Sequence, residues 1–389
     1  MSVAPIMFSL IRSEICGTAL EESKKNKLSA KVCKELFELS NKHDVAHIVA
    51  SALFKNELLD EKNISVAFKK VFMMAVYRDS QREYSLNQIS AILEKANVSH
   101  ILLKGAILRK YYPQTWMRTS CDVDVLVKNE DIDCAINALC KAGYVRVEDA
   151  STHDYNLISP NKIHLELHYT LSQDGEFANA DAILNDIWQN AFSTENGKYS
   201  YQLPAEHFIL YHLVHMGRHL LHGGCGVRPF IDLWLLENKM PYNESKLKAI
   251  LLNTGLVSLY DTASALGKVW LENKGHTEQT RLLEEYILFG GVYGNSRNSA
   301  KVQAANGISK IESFLNLMFL SRENLEVLYP NLKKHPAMLP LYQIKRWFRI
   351  FNKKKRGKVK HLTKTRNNID QASANTTKVM LEYLGLLNK

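Results

Sequence analysis

Hydrophobic residues recur at helical spacing through the first 95 residues of the chain. Val32, Leu36 and Leu39 fall on one helical face, and a longer stripe runs from Ile64 to Lys95 without a proline or glycine. Asn63 is placed as an N-cap for this longer segment. The pattern predicts an N-terminal helical region whose long last helix braces the structure that follows.

Short apolar runs then predict a small sheet. Each run is bounded by polar or turn residues and is too short for a typical helix. The expected strands are residues 98–103, 122–127, 144–148, 153–158 and 162–169. Ser159, Pro160 and Asn161 form the turn of a hairpin between the last two strands. Helices are expected at 106–112 and from a cap at Asn129 to a stop at Gly143.

Helical spacing returns at Leu203 and continues through most of the remaining chain. Further helices are expected at residues 246–252, 257–270, 308–320 and 377–387. The predicted fold class is therefore α+β, with a small mixed β-sheet flanked by N-terminal and C-terminal helical regions. The expected regions are 1–95 (helical), 96–200 (sheet core), 201–340 (helical) and 341–389 (a basic tail with a short terminal helix).

Two acidic residues, Asp122 and Asp124, interrupt the apolar run at 122–127. Carboxylates in a buried strand are costly unless a cation meets them. Residues i and i+2 of a strand point to the same face, so the two carboxylates can converge on one point. Because hard divalent ions such as Mg²⁺ take oxygen ligands, this pair is a candidate metal site.

A candidate phosphate site precedes this strand. Lys104 and Gly105 end the run at 98–103, and a helix is expected directly after them. Glycine allows a close approach of the backbone, and a helix N-terminus attracts anions. Lys104 would supply a point charge, and Arg118, four residues before Asp122, would supply a bidentate donor.

The last predicted strand alternates between apolar and polar side chains. The apolar face consists of Ile163, Leu165 and Leu167. The polar face consists of His164, Glu166 and His168. From this pattern alone, Glu166 is either an exposed strand residue or a third carboxylate beside the candidate metal site, with Asp149 and Asp154 as rivals.

A predicted helix that begins after Leu203 is rich in histidine. Four of its histidines fall along one side, at spacings of three and four residues: His212, His215, His219 and His222. His215 and His219 could share a transition metal. The alternative is a row of hydrogen-bonded, partly buried imidazoles.

The composition is that of a globular protein. Of 389 residues, 46% are apolar and 23% are charged, and no apolar run approaches the length of a membrane span. The first residues lack the basic start of a signal peptide, and the six cysteines lack metal-type spacing. We therefore expect a cytoplasmic protein with reduced thiols and no transmembrane segment.

The net charge of +10 comes from one segment. From Lys345 to Arg366 there are eleven Lys or Arg residues and no Asp or Glu, so the rest of the chain sums to −1. Such a run can contact nucleic acid or an anionic surface, or it can be a solvated tail.

Several of these motifs occur together in a known family. The sequence LLKG, followed by YYP, an arginine and DVDVLV, resembles the bacterial group of uncharacterised nucleotidyltransferases in the polymerase-beta-like nucleotidyltransferase superfamily. The resemblance covers roughly residues 60–240. It implies transfer of an NMP group from an NTP to an acceptor hydroxyl, with release of pyrophosphate.

The resemblance also implies roles for particular residues. Two Mg²⁺ or Mn²⁺ ions would be held by the catalytic carboxylates Asp122, Asp124 and Glu166. The groups that would bind the nucleotide phosphates are Lys104, Gly105, Arg118 and Arg228. The residues that would contact substrate or support the site are His168, His215, His219 and Asp232. The acceptor, which can be a small molecule, a protein or RNA in this superfamily, is not specified.

Two other functions are compatible with the sequence. A non-catalytic nucleotide- or nucleic-acid-binding protein would use the corner at Lys104 and the basic run from Lys345 to Arg366 for phosphate. A metal-dependent hydrolase would be centred on His215, His219 and Asp232, but it would leave Asp122 and Asp124 without a role.

Overall fold

The apolar runs of the middle region form the five predicted strands, and the sheet also contains two short strands, at residues 192–193 and 200–202, that were not predicted. The computed structural model describes residues 3–59, 62–147, 153–172, 175–195, 197–292, 294–351 and 364–387. The strands in these ranges are β1 (His100–Leu102), β2 (Asp122–Val127), β3 (Val145–Arg146), β4 (Asp154–Ile158), β5 (His164–His168), β6 (Phe192–Ser193) and β7 (Ser200–Gln202). They form one mixed sheet in the order β3-β4-β5-β2-β1-β7-β6.

Helices precede and follow the sheet, so the predicted α+β class is confirmed. Before the sheet lie α1 (Ala4–Cys16), α2 (Glu22–Lys25), α3 (Ala30–Lys42), α4 (Ala46–Lys55) and α5 (Lys62–Lys95). Within it lie α6 (Gly105–Leu108), α7 (Ile132–Lys141) and α8 (Ala178–Asn185). After it come α9 (Ala205–Leu221), α10 (Arg228–Lys239), α11 (Glu244–Thr254), α12 (Val257–Glu272), α13 (Glu278–Gly290) and α14 (Ser296–Ala305). The last helices are α15 (Lys310–Met318), α16 (Arg322–Leu328), α17 (Leu339–Phe351) and α18 (Gln371–Tyr383).

Two predicted helix caps are wrong. Asn63 lies inside α5, which already includes Lys62. Asn129 begins a 3₁₀ turn, and Asp131 is the N-cap of α7. Both errors have the same cause, because hydrogen bonding in the first turn decides where a helix begins and an isolated Asn does not.

Alternation along β2 gives the strand two different faces. Val123, Val125 and Val127 are buried in a cluster with residues of α5 and α7. Leu126 belongs to the other cluster, which includes residues of α9, α10 and α12. Asp122 and Asp124 have the same parity as Leu126, so the sheet presents them toward the C-terminal helices.

Both ends of the chain pack onto the helices around the sheet. Phe8 of α1 stacks on Trp270 of α12, with ring centroids 4.3 Å apart. In and after α18, Met380, Leu381 and Leu384 are buried in the same large cluster. Among the described helices, none is both long and apolar enough to cross a membrane.

Candidate active site

Three acidic side chains come together where β2 lies beside β5. These strands are parallel, and their register places Asp124 opposite Glu166 and Leu126 opposite His168. Asp122 precedes Asp124 by two positions and therefore shares its face. The predicted polar face of β5 thus lies beside the acidic face of β2.

Asp124 is buried and has two hydrogen-bonding neighbours. Lys104 Nζ donates to its Oδ1 at 2.6 Å, and His168 Nε2 lies 3.0 Å from the same oxygen. Burial alone would raise the pKa of Asp124, but the charge of Lys104 and the hydrogen bond with His168 outweigh it and lower that pKa. The carboxylate is therefore ionised inside the fold.

For Asp122, the effects of burial and of nearby charges combine to raise the pKa. Burial, followed by the negative charges of Asp124 and Glu166, raises the pKa of Asp122, and the charge of Lys104 only partly compensates. Glu166 remains partly accessible, with 29% of its side chain exposed. Converging carboxylates with this repulsion form a site that favours a bound cation.

The Lys104 side chain reaches the carboxylates from a tight turn. Lys104 has φ 40° and ψ −118°, a left-handed conformation that is costly for a residue with a side chain. Its carbonyl accepts from Ile107 and Leu108 as α6 begins. Burial would lower the pKa of Lys104, but Tyr211 and Asp124 raise it, so the lysine is charged.

Gly105 permits a close approach of two chain segments. A Cβ at this position would lie 3.1 Å from Ser120 Oγ. The adjacent Ser120 carbonyl accepts a hydrogen bond from Arg82 of α5. A side chain at position 105 would therefore require the Ser120 side chain to shift by a few tenths of an ångström.

Arg118 is held by a buried carboxylate. Its Nε donates to both oxygens of Asp232 at 2.8 and 3.0 Å, and the Tyr112 hydroxyl donates to Asp232 Oδ1 at 2.7 Å. The structure thus brings together Arg118 and Asp232, two residues singled out from the sequence. Asp232 bonds the Arg118 guanidinium and, among the described residues, is not grouped with His215 and His219 as a possible set of metal ligands.

Arg228 lies at the start of α10 and has partners from two other segments. It donates to Asp44 Oδ2 at 2.6 Å and to the Thr119 carbonyl at 2.6 Å. The Thr119 hydroxyl also donates to Asp44, at 2.9 Å. These contacts fix the guanidinium beside the segment that carries Arg118.

The histidine row of α9 faces the carboxylates. His215 Nε2 and His219 Nε2 lie 3.1 Å apart, while His212 bonds to the Pro229 carbonyl at 2.8 Å. Burial, followed by the charge of Lys104, lowers the pKa of His219 to about 4 and holds the pKa of His215 well below its usual value. Both imidazoles are therefore neutral at physiological pH.

One cavity of about 310 Å³ connects these groups. Its lining includes the predicted residues Lys104, Gly105, Arg118, Asp122, Asp124, Glu166, His215, His219, Arg228 and Asp232. His168 is buried behind Asp124 and is absent from that lining. The cavity therefore has an acidic wall from the sheet and a wall of arginine and neutral imidazole from α9 and α10.

Within the described residues, two groups of side chains could hold a metal ion. One is Asp124, Glu166 and His168, and the other is His153, Asp154 and His168. Asp154, the rival third ligand, pairs with His153 at 2.9 Å and is outside the cavity lining. The other rival, Asp149, lies outside the described residues.

Sequence reasoning missed several residues that shape the site. Tyr211, one helical turn before His215, hydrogen-bonds Lys104, and extending the histidine row backward by four positions would have found it. No spacing pattern in the sequence pointed to Tyr112 or Asp44. Their contacts depend on how separate segments pack.

The comparisons with known proteins agree with the motif-based resemblance and extend it. The family model described as "Uncharacterised nucleotidyltransferase" matches residues 30–271. The match is wider than the expected range of 60–240 and includes α3, α4, α11 and α12 in addition to the sheet. No curated protein and no solved structure is detectably similar to the chain. The chain belongs to the family of uncharacterised nucleotidyltransferases.

Proposed function

We propose that the protein is a metal-dependent nucleotidyltransferase that moves an NMP group from an NTP to an acceptor hydroxyl. The observation that carries the proposal is the pairing of Asp124 with Glu166 on parallel strands, with Asp122 on the same face of the same cavity. Family membership supports the reaction class.

The donor set fits one or two Mg²⁺ or Mn²⁺ ions. Asp122, Asp124 and Glu166 would hold the metal, because oxygen donors suit hard cations and the raised pKa of Asp122 reports unrelieved repulsion from the other two. A bound divalent ion would supply charge stabilisation for the transferring phosphoryl group.

The chain's own cations would bind and orient the triphosphate. Arg118 and Arg228 line the cavity opposite the carboxylates, and each is fixed by a carboxylate from another segment. A held guanidinium loses little freedom on binding phosphate. Lys104 keeps Asp124 ionised and so preserves the metal site before substrate arrives.

Proton transfer is assigned to Glu166. It is the more accessible carboxylate of the Asp124–Glu166 pair and can accept the proton of an acceptor hydroxyl. His215 and His219, being neutral, can hydrogen-bond the base or the acceptor without adding charge.

The test is transfer of labelled NMP from each NTP to material in a cell extract, with Mg²⁺ or Mn²⁺. Wild type should label an acceptor only with metal, and Glu166→Gln should lower the rate by at least about 100-fold. Glu130→Gln is the matched control, because Glu130 is an exposed carboxylate shortly after β2 and lies outside the cavity lining. Equal activity of wild type and Glu166→Gln would contradict the assignment.

A non-catalytic nucleotide-binding protein is the second candidate. The ion pair of Lys104 with Asp124 favours it, because a lysine there can neutralise the carboxylate without a metal. That function predicts NTP binding with no metal dependence and no transfer. The hydrolase alternative has no such support, because Asp232 is engaged with Arg118 and Tyr112.

A further inference from the structure

Helix α17 packs against the rest of the protein through polar side chains. Among the side chains of α17 that the structure describes, Gln343 and Arg346 are buried, at 6% and 9% exposed. Gln343 donates to the Leu320 carbonyl at 2.7 Å, and Arg346 donates to the carbonyls of Met318 and Leu317 at 2.9 and 2.8 Å. These bonds satisfy carbonyl groups at and just after the C-terminus of α15.

The outward side of α17 is apolar. Leu341, Ile344 and Phe348 are 60%, 43% and 77% exposed. Their spacing of three and four residues places them on one stripe. A helix on the surface of a globular protein normally presents the opposite arrangement, so this stripe marks an interaction surface.

Positive charge accompanies the stripe in the sequence. Lys345 and Arg349, each directly after a residue of the stripe, are exposed. Between Glu326 and Asp370 the sequence contains thirteen Lys or Arg residues and no Asp or Glu. Because the chain totals +10, the remainder carries −3, and this segment holds all of the excess positive charge.

We infer that α17 docks the protein on an anionic lipid surface. Leu341, Ile344 and Phe348 would enter the interface between headgroups and acyl chains, while Lys345 and Arg349 extend to lipid phosphates. The other basic residues of the sequence between Glu326 and Asp370 would add long-range attraction to anionic headgroups. This inference is independent of the proposed nucleotidyl transfer.

Other occupants fit the stripe less well. RNA would use the basic residues and could stack on Phe348, but it gains little from the exposed aliphatic side chains of Leu341 and Ile344. A second copy of the chain would bring two strongly basic segments together across a twofold axis, where they would repel. An anionic bilayer satisfies both the apolar stripe and the charge.

The test is co-sedimentation of the full chain with vesicles of phosphatidylcholine alone and of phosphatidylcholine mixed with phosphatidylglycerol. Phe348→Asp is the test variant, and Leu252→Asp is the control. Leu252 is also an exposed apolar residue of a helix, 63% exposed on α11, so both variants change the charge equally. Unchanged melting temperatures would establish that both variants fold.

Wild type and Leu252→Asp should bind the phosphatidylglycerol vesicles and not the pure phosphatidylcholine vesicles. Phe348→Asp should lower the partition coefficient by roughly tenfold or more. Wild type that binds neither vesicle, or Phe348→Asp that binds as well as Leu252→Asp, would overturn the inference. RNA binding or dimer formation that depends on Phe348, without vesicle binding, would also overturn it and assign the stripe to that partner.

Discussion

Neighbouring side chains keep the buried carboxylate of Asp124 ionised. Its carboxylate is buried, and it stays ionised because Lys104 and His168 contact one of its oxygens. Removing one member of a buried pair leaves an uncompensated charge, which is more costly than the pair is favourable. The lysine is therefore a stabilising residue as well as a member of the cavity lining.

We predict that Lys104→Met lowers the free energy of unfolding by about 3 kcal/mol in metal-free buffer, because Asp124 loses its strongest partner. Adding Mg²⁺ should restore part of the loss if the carboxylates bind the ion. Urea unfolding with and without Mg²⁺ measures both effects. Lys110→Met, at an exposed lysine, should change stability by less than about 0.5 kcal/mol. Equal stability of the two variants would refute this role of Lys104.

A second residue-scale prediction concerns His43, which is fully buried after α3. Burial, and then the charge of Lys42, lowers the pKa of His43 to about 4. The unfolded chain binds this proton near pH 6.5, so its protonation favours unfolding as the pH falls from about 6.5 to 4. Acidification from pH 7 to 5 should therefore lower the free energy of unfolding by about 2 kcal/mol, because the unfolded chain protonates His43 and the folded protein does not.

Urea unfolding of wild type and His43→Gln at several pH values tests this contribution. The variant is expected to be less stable at pH 7 but to lose less stability on acidification. Parallel pH profiles for the two proteins would mean that His43 titrates normally in the fold.

Individual residues differed in how far the sequence could place them. Asp122 and Asp124 could be placed together, because a strand has fixed alternation and both lie in one apolar run, whereas Glu166 could be assigned beside them only through the family resemblance. The partners of Arg118 and Arg228 could not be predicted, since Asp232 and Asp44 reach them from segments far apart in sequence. Spacing rules apply within an element and not between elements.

At the scale of elements, α10 controls the position of the segment before β2. Asp232 of α10 binds Arg118 and Tyr112, while Arg228 of the same helix binds Thr119 and Asp44. Both arginines therefore depend on where this helix docks. The link makes α10 part of the cavity wall.

We predict that Asp232→Asn lowers the free energy of unfolding by about 3 kcal/mol, because it removes the carboxylate that bonds the buried Arg118 guanidinium. NTP affinity should fall in the same variant as Arg118 loses its fixed position. Denaturation and calorimetric NTP binding measure the two effects. Asp261→Asn, an exposed aspartate on α12, should alter neither. Equal stability and equal NTP affinity of Asp232→Asn and Asp261→Asn would contradict this role of the contact between Asp232 and Arg118.

Elements were predicted best where one periodicity ran uninterrupted. The long α5, strand β2 and the hairpin strands β4 and β5 matched their hydrophobic patterns to within a few residues. The short helix after Gly105 instead ends at Leu108 and continues as a 3₁₀ turn, Arg109–Tyr111. Such short pieces are set by packing and turn geometry, which a periodicity does not record.

At the scale of the molecule, the hydrophobic core includes residues outside the range that the family model matches. The match covers residues 30–271, yet α1 packs on α12 through Phe8, and residues of α18 join the large buried cluster. These outer helices belong to the same packed body. The C-terminal segment differs again, because it combines an outward apolar stripe with concentrated positive charge.

The central claim is that the carboxylates of β2 and β5 bind metal and nucleotide together. The most direct measurement is calorimetric titration of the four NTPs, with and without Mg²⁺, into wild type and Asp122→Asn. The substitution removes a carboxylate whose pKa is raised by burial and by Asp124 and Glu166, so the fold should tolerate it.

The account predicts that wild type binds at least one NTP only when Mg²⁺ is present. Asp122→Asn should lose that metal-dependent binding while melting at a temperature no lower than wild type in metal-free buffer. Absence of NTP binding by wild type, or equal binding by the two proteins, would contradict the account.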